Sequence, residues 1–152
     1  MTRIKDWKVE DLSPEQKEIH DTILNGPRGH VVGPLRVWLN NPGLAKSAQT
    51  LGAYARYGSC LPQSLSELAI ITTGRVWSSA FEWLHHAPLA IEGGIDSKHI
   101  ETISFGKRPN FDNVKEQSVF DFAAEANILK NVTDKTYKTL IDNLGDNAAI
   151  DI

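Results

Sequence analysis

A long apolar segment near the middle of the chain constrains the fold more than any other feature. It covers residues 61–95 and has the sequence LPQSLSELAIITTGRVWSSAFEWLHHAPLAIEGGI. Ser64 and Glu67 have the spacing of a capping box, which predicts a helix start. Pro88 and the Gly93-Gly94 pair predict the end, because proline disrupts the preceding turn and glycine permits left-handed geometry. The segment is apolar on most sides, which is typical of one buried helix.

Ionisable side chains interrupt this predicted helix along a narrow stripe. Successive residues of an α-helix are rotated by about 100°. Spacings of four, three and four residues then place one group on a stripe about 60° wide: Arg75, Ser79, Glu82 and His86. Glu67 lies about 60° from the nearer edge of that stripe. Buried charge is costly unless the charges pair or line a cavity, so the stripe is the predicted functional site.

The composition predicts one domain, residues 1–152, and excludes several functional classes. The 152 residues are 41% apolar, which supplies a sizeable core. The net charge of −3 gives no general attraction for nucleic acid or anionic membranes, and the one small basic cluster, Lys107-Arg108, is too short to change this. A single cysteine, Cys60, excludes an intramolecular disulfide. No signal peptide or membrane span of about 20 apolar residues is visible, so we expect a cytoplasmic protein.

Helix signals recur along the chain, and no convincing alternating strand pattern interrupts them. Ser13-Pro14 predicts a helix over residues 14–24, and Asn41-Pro42 predicts another that ends near Gly58. Three more helix starts are predicted at the following caps: Asp96, Asp112 and Thr133. The fold class is therefore predicted to be all-α, with six to seven helices. The Gly- and Pro-rich loop over residues 25–34 carries His30, and its length suggests a functional role.

Part of the sequence resembles a known family. The segments LPQSLSELAI and GRVWSSAFEWLHHAPLAIEGGI, followed by DSKHIETI, are similar to the carboxymuconolactone decarboxylase family, which is related to the AhpD-like alkylhydroperoxidases. The resemblance covers roughly residues 34–146 and is most specific at Glu82, Trp83 and His86. It implies an AhpD-like helical domain that assembles into trimers or hexamers. The family continues with another apolar helix where this chain ends in AAIDI, so we expect a partner over the exposed groove or a diverged or shortened tail.

The resemblance also bears on the reaction. In the peroxidase branch a glutamate is followed by two cysteines and a histidine. Here Glu67 and His86 match the outer positions, but Ser79 and Glu82 replace the cysteines. A hydroxyl and a carboxylate cannot form a disulfide, so dithiol peroxide reduction is disfavoured. The glutamate agrees with the decarboxylase branch, which implies cofactor-independent decarboxylation of a small acidic or lactone substrate.

The chemistry of such a reaction suggests a role for each residue of the stripe. His86 is the predicted general acid and base, because imidazole titrates near neutral pH. Glu82 is predicted to set its tautomer, and Glu67 to act as a second carboxylate in the proton relay. The guanidinium of Arg75 suits a substrate carboxylate, and Ser79 is a smaller donor beside it. No cofactor and no metal are expected.

Other interpretations stay open at this point. The charged side chains are also compatible with a buried ion-pair network in a non-catalytic helical oligomer or small-molecule-binding protein. Glu82 and His85 have the Glu-x-x-His spacing of di-iron bundles, but only one copy is present; a single metal at Glu82 and His86 is a further alternative. A peroxidase that uses Cys60 alone is another. His85 is predicted to be structural, while His30 and Tyr57 have no assigned role.

Overall fold

The computed structural model describes residues 3–152, and within that range the protein is all-α, as predicted. Seven of its helices are seven residues or longer, which agrees with the predicted six to seven. The helices of the described range are α1 (Pro14–Leu24), α2 (Pro34–Trp38), α3 (Pro42–Ala53), α4 (Gln63–Val76), α5 (Ala80–Glu92), α6 (Ser97–Ser104), α7 (Val114–Ile128), α8 (Asp134–Leu144) and α9 (Asp146–Asp151). Each helix in residues 3–152 is too short or too polar to cross a membrane.

Contacts along the chain group it into two compact units, one that ends at Gly58 and one over Ser59–Ile152. The assignment of residues 1–152 to one domain stays a prediction. The first unit contains a 3-10 turn (Val9–Asp11), α1, α2, α3 and a π-helical turn (Tyr54–Gly58). Its core is a small apolar cluster formed by Ile19, Ile23, Leu35, Leu39 and Ala45.

The predicted capping signals of the first unit are confirmed. The Ser13 side chain accepts from the backbone N–H of Gln16, and the Gln16 side chain accepts from the backbone N–H of Ser13, which completes a capping box. Asn41 caps α3 in the same way by accepting from Leu44. α3 ends at Ala53, and the π-helical turn continues the coil to Gly58, the predicted end.

The second unit is organised around α4, which packs most extensively against α5 and α7. α4 is the first half of the segment that the sequence marks as central. Its Leu68 and Ile71 are completely buried in the main apolar cluster, together with Val119 of α7 and Leu140 of α8. The chain end closes this cluster with α9, whose Ala148 is buried.

The prediction of one continuous helix across the central segment is wrong. The helix breaks after Val76, and α5 begins at Ala80. Ser78 has a φ of +54°, and its N–H donates to the carbonyl of Arg75 while that of Ser79 donates to the carbonyl of Gly74. These two bonds form a Schellman motif, which usually has glycine at the left-handed position. A serine there hides the stop signal from a sequence-based prediction.

Three further predictions in this unit need correction. α4 starts at Gln63, one residue before Ser64, and has no side-chain cap, so Ser64 and Glu67 do not form a capping box. α7 is capped by Asn113 rather than Asp112. α5 is not buried on all sides, because a set of its apolar residues is exposed: Phe81, Leu84, Pro88 and Ile91. The caps predicted at Asp96 and Thr133 are confirmed.

Candidate functional site

The imidazole of His86 lies between two carboxylates. Its Nδ1 is 2.6 Å from Oε2 of Glu67, which comes from α4. Its Nε2 is 3.2 Å from Oε2 of Glu82, one turn earlier on α5. The structure thus brings together the three predicted catalytic residues, Glu67, Glu82 and His86, although the helix that was predicted to carry all three is broken.

The two carboxylates differ in exposure. The side chain of Glu67 is 2% exposed and that of His86 is 9% exposed, so this pair is buried. The side chain of Glu82 is 34% exposed and reaches solvent. Because a buried carboxylate needs a partner, the short contact to Glu67 holds the ring in place. Glu82 is the member of the cluster that can exchange protons with water or with a ligand.

Close packing of α4 against α5 makes this geometry possible. A Cβ on Gly74 would lie 3.0 Å from the Cβ of Glu82, which is tighter than nine in ten real Cβ contacts. Glycine at this position lets the two helix backbones approach. Glu67 and Gly74 lie within about 20° of each other around α4, because seven residues make nearly two turns. The same side of α4 therefore presents Glu67 to His86 and leaves space for Glu82.

The arrangement is suited to holding two protons. A neutral imidazole carries a proton on only one of its nitrogens. With both carboxylates ionised, one of the two contacts of His86 would then join two lone pairs. A second proton, either on the ring or on a carboxyl, makes both contacts attractive. The cluster can therefore store a proton and pass it between Nε2 and Glu82, which is the behaviour expected of a proton relay.

His85 precedes His86 on α5. Its ring meets the ring of His86 edge to face, with centroids 4.9 Å apart. The ring of Phe81 is stacked on the His85 ring, with centroids 5.9 Å apart. Such ring contacts are compatible with the structural role predicted for His85, which stays a prediction.

The two predicted substrate-binding residues are placed differently from each other. Ser79 is the N-cap of α5, and its hydroxyl accepts from the N–H of Glu82 at 3.5 Å. Arg75 points toward α6, where its Nε donates to the carbonyl of Ser104 at 2.8 Å. The predicted stripe is thus divided by the helix break. Ser79 stays with the cluster, while Arg75 lines a separate cavity of about 330 Å³.

That cavity contains residues that the sequence analysis did not connect with a site. Its cationic residues besides Arg75 are Lys107 and Arg108, the pair that is too short to predict a nucleic-acid surface. Their signal was weak because Arg75 lies well before them in sequence, on α4, and most of the apolar wall that accompanies them comes from α7. Proximity of this kind depends on tertiary packing and leaves no local pattern.

Two alternative interpretations can be compared with the geometry. Both ring nitrogens of His86 already face carboxylates, so neither nitrogen points to an open coordination position. Within residues 3–152 no group of three or more His, Cys, Asp or Glu side chains has an arrangement that would hold a metal ion. For Cys60, desolvation and the neighbouring Asp151 carboxylate raise the pKa of the thiol. A raised pKa lowers the thiolate population, which is unfavourable for peroxide reduction.

His30 and Tyr57 both belong to the first unit and are exposed there. The guanidinium groups of Arg28 and Arg56 lie over the Tyr57 ring, at 5.9 and 5.2 Å from its centroid. Neither His30 nor Tyr57 gains an assigned role from this placement. No protein-family model matches the chain, and a search of curated proteins gives no match either.

Proposed function

We propose that this protein is a cofactor-independent decarboxylase-like enzyme of the carboxymuconolactone type, with an AhpD-like arrangement of its helices. The observation that carries the proposal is the position of His86 between Glu67 and Glu82, at 2.6 and 3.2 Å. The sequence resemblance supports the family, and the geometry supports a proton relay at the residues that match its motif. The substrate class is a small acidic or lactone compound.

In this proposal the substrate supplies the electron sink. The bond between its carbon and the carboxylate breaks, CO₂ leaves, and the electron pair moves into the conjugated carbonyl system. The resulting enolate then needs a proton on carbon. His86 supplies it from Nε2, directly or through Glu82, and water restores the proton by way of the exposed Glu82 carboxylate. Ser79 stays the predicted substrate-binding donor at this site.

The contacts suggest a change in the roles of the two glutamates. Glu82 was predicted to set the tautomer of His86, with Glu67 as the second carboxylate of the relay. Glu67 makes the shorter contact and is the more buried, which suits it to orient the ring through Nδ1. Glu82 makes the longer contact and is more exposed, which suits it to exchange protons.

The first experiment is decarboxylation of 4-carboxymuconolactone, followed by absorbance. We expect His86→Ala and Glu82→Gln each to lower turnover by about 10²-fold or more, with circular dichroism unchanged. Glu101→Gln is the matched control for Glu82→Gln, because it removes the same kind of group at an exposed position of α6, and it should keep wild-type turnover. Wild-type protein without turnover would remove this substrate from the proposal, and unaltered turnover in both site variants would remove the relay.

A second candidate function is a non-catalytic helical oligomer or small-molecule-binding protein. Two observations favour it. The Glu67–His86 pair is buried and paired, as a structural ion pair would be. In addition, the apolar face of α5 is open, with Leu84 75%, Ile91 47% and Phe81 42% exposed. An open apolar helix face favours self-association, and the resemblance suggests trimers or hexamers.

Sedimentation and turnover together separate the two candidates. We expect Leu84→Lys to reduce the sedimenting mass if the α5 face joins subunits. A non-catalytic oligomer would show this loss of mass but no turnover with any lactone tested and no pH-dependent activity. An enzyme would show turnover that depends on His86. A wild-type protein that sediments as a monomer would contradict the oligomer.

A further inference from the structure

We propose that the cavity lined by Arg75 binds a small carboxylate with an apolar body. The cavity lies among α4, α6 and α7 and has a volume of about 330 Å³. This volume falls within the range of about 300–1,000 Å³ found for small-molecule sites. Most of its wall is apolar, from the side chains of Val76, Ile103, Phe120, Ala124, Ile128 and Leu129.

The apolar wall favours a ligand with an apolar body. Ile128 and Leu129, at the end of α7, are 62% and 57% exposed. Phe120 and Ile103 at the other side of the wall are buried in the main core cluster. A flat apolar group in the cavity would remove Ile128 and Leu129 from water and gain free energy in proportion to the area covered. Polar ligands gain nothing from such a wall.

The charged residues of the cavity favour an anionic head group. Arg75 and Lys107 both line it, and within residues 3–152 neither is paired with a carboxylate. Arg108 is different, because its guanidinium makes a bidentate pair with Asp121 at 2.8 and 2.7 Å. Arg75 and Lys107 are thus available to a ligand, whereas the charge of Arg108 is already neutralised by Asp121.

Arg75 is also held in place for such a role. Its Nε donates to the carbonyl of Ser104, which leaves the Nη groups to form the fork that suits a carboxylate. A Cβ on Gly106 would lie 3.1 Å from Nη2. Glycine at this position therefore provides the space that the guanidinium occupies. A preorganised donor loses little entropy when it binds an anion.

One lining carboxylate, Glu125, opposes an anion, but it is turned to another partner. Its oxygens accept from the Thr136 hydroxyl at 2.6 Å and from the Thr133 N–H at 2.9 Å, at the start of α8. With Asp121 paired to Arg108, the lining carries three cations against two carboxylates. The local balance is positive, in a protein whose net charge is −3. This local excess favours a singly charged anion over a neutral or cationic ligand.

The inference goes beyond the proposed function and does not depend on it. Glu67, Glu82 and His86 are not among the residues that line the cavity. The inference assigns Arg75 to this cavity in place of the substrate-binding role predicted for it beside the catalytic residues. A protein that fails to decarboxylate any lactone could still bind an acid in this cavity. A protein that decarboxylates a lactone at His86 could equally leave this cavity empty.

The test uses two probes of the same shape and different charge, 2-naphthoate and 2-naphthalenemethanol, in isothermal titration calorimetry on the full chain. We expect 2-naphthoate to bind the wild type more tightly than the neutral alcohol. Arg75→Gln should weaken naphthoate binding about tenfold or more, because it removes a charged hydrogen-bond donor. Lys107→Gln should weaken it about two- to fivefold.

Two further variants complete the design. Arg3→Gln removes one guanidinium at an exposed position outside the cavity and should leave naphthoate binding unchanged. Ala124→Phe fills the cavity and should abolish binding of both probes. If Arg75→Gln destabilises the protein so much that its naphthoate binding cannot be measured, Lys107→Gln and Ala124→Phe test the proposal instead. Equal affinity for the two probes, or naphthoate binding that survives both Lys107→Gln and Ala124→Phe, would overturn the proposal.

Discussion

The two sides of α4 present opposite kinds of site. One side faces α5 and holds a compact polar cluster, in which Glu67 and His86 are buried against each other. The other side contributes Thr72, Arg75 and Val76 to an open, largely apolar cavity. One site is filled by its own side chains, the residues of the proposed proton relay. The other leaves space and charge for a ligand.

The difference arises from a single backbone feature. The sequence places Arg75, Ser79 and His86 on one stripe of one helix, and the turn at Ser78 divides that stripe. After the break, α5 folds back on α4 and brings His86 to Glu67, 19 residues earlier. Arg75 stays at the end of α4 and faces α6. A left-handed residue in a short turn thus determines which charged groups meet.

The largest loss of stability is expected in the buried polar cluster between α4 and α5. Glu67→Ala leaves the Nδ1 of His86 without its buried acceptor and opens a small cavity. We expect a loss of about 3–5 kcal/mol in the free energy of unfolding, measured in urea, because breaking a buried pair leaves an uncompensated polar group.

Glu82→Ala provides the matched control for this variant. It removes the other carboxylate of the same ring, but one that is 34% exposed. We expect a loss of no more than about 1 kcal/mol, as for other half-exposed pairs. Equal losses in the two variants would mean that the two carboxylates hold the ring equally, and the assignment of Glu67 as the orienting residue would be wrong.

On the cavity side of α4, a substitution at Gly106 is expected to affect both stability and ligand binding. Gly106 has a φ of +70°, and an alanine there would crowd the Arg75 guanidinium. We expect Gly106→Ala to cost about 1–2 kcal/mol of stability. Gly29→Ala is the control, because Gly29 has a φ of +68° and nothing within 4 Å of a Cβ. Only Gly106→Ala should also weaken naphthoate binding; the same weakening in Gly29→Ala would disconnect Gly106 from the cavity.

Much of the fold was predictable because its signals are local. The capping box at Ser13 and the caps at Asn41 and Thr133 each act within one turn of helix. The apolar pattern identified residues 61–95 as the central segment, and α4 is its first half. The turn at Ser78 was missed because the left-handed position is occupied by a residue that rarely adopts it.

The site was predictable in part for a different reason. Glu67, Glu82 and His86 were identified from their cost in an apolar segment and from the family resemblance, and they do meet. Their partners were assigned on the assumption of one straight helix, in which Glu67 lies several turns away from His86. The cavity depends on Ile103 and Phe120, which join Arg75 only through tertiary packing. Long-range contacts of this kind have no periodic signal in a single sequence.

A substitution in the turn at Ser78 is expected to stabilise the protein rather than destabilise it. Ser78→Gly relieves the left-handed strain and should raise the free energy of unfolding by about 0.5–1 kcal/mol, after the extra entropy of glycine in the unfolded chain is subtracted. Ser47→Gly is the control, since Ser47 is an exposed residue inside α3. It should lower stability by about 0.5 kcal/mol. Destabilisation by Ser78→Gly would show that the turn does not store this strain.

The smallest change in stability is expected for Glu125, a carboxylate that lines the cavity. The Thr136 hydroxyl and then the Thr133 N–H hold the pKa of Glu125 below its ordinary value of 4.5. A lowered pKa means that the ionised form stabilises the folded state above pH 4.5, and that this stabilisation is lost as the pH falls below that value. Glu125→Gln removes it at every pH.

Wild type and Glu125→Gln should therefore differ in urea unfolding by about 0.5 kcal/mol near neutral pH, since the group is partly screened by solvent. The difference should decrease as the pH falls below 4.5 and vanish only below the lowered pKa of Glu125, where the wild-type carboxyl takes up its proton in the folded protein. Glu101→Gln removes an exposed carboxylate of α6 and controls for the change in net charge. A difference that persists unchanged at low pH would mean that Glu125 acts through packing. Its carboxylate would then not be held by the start of α8, and it would be free to oppose an anion in the cavity.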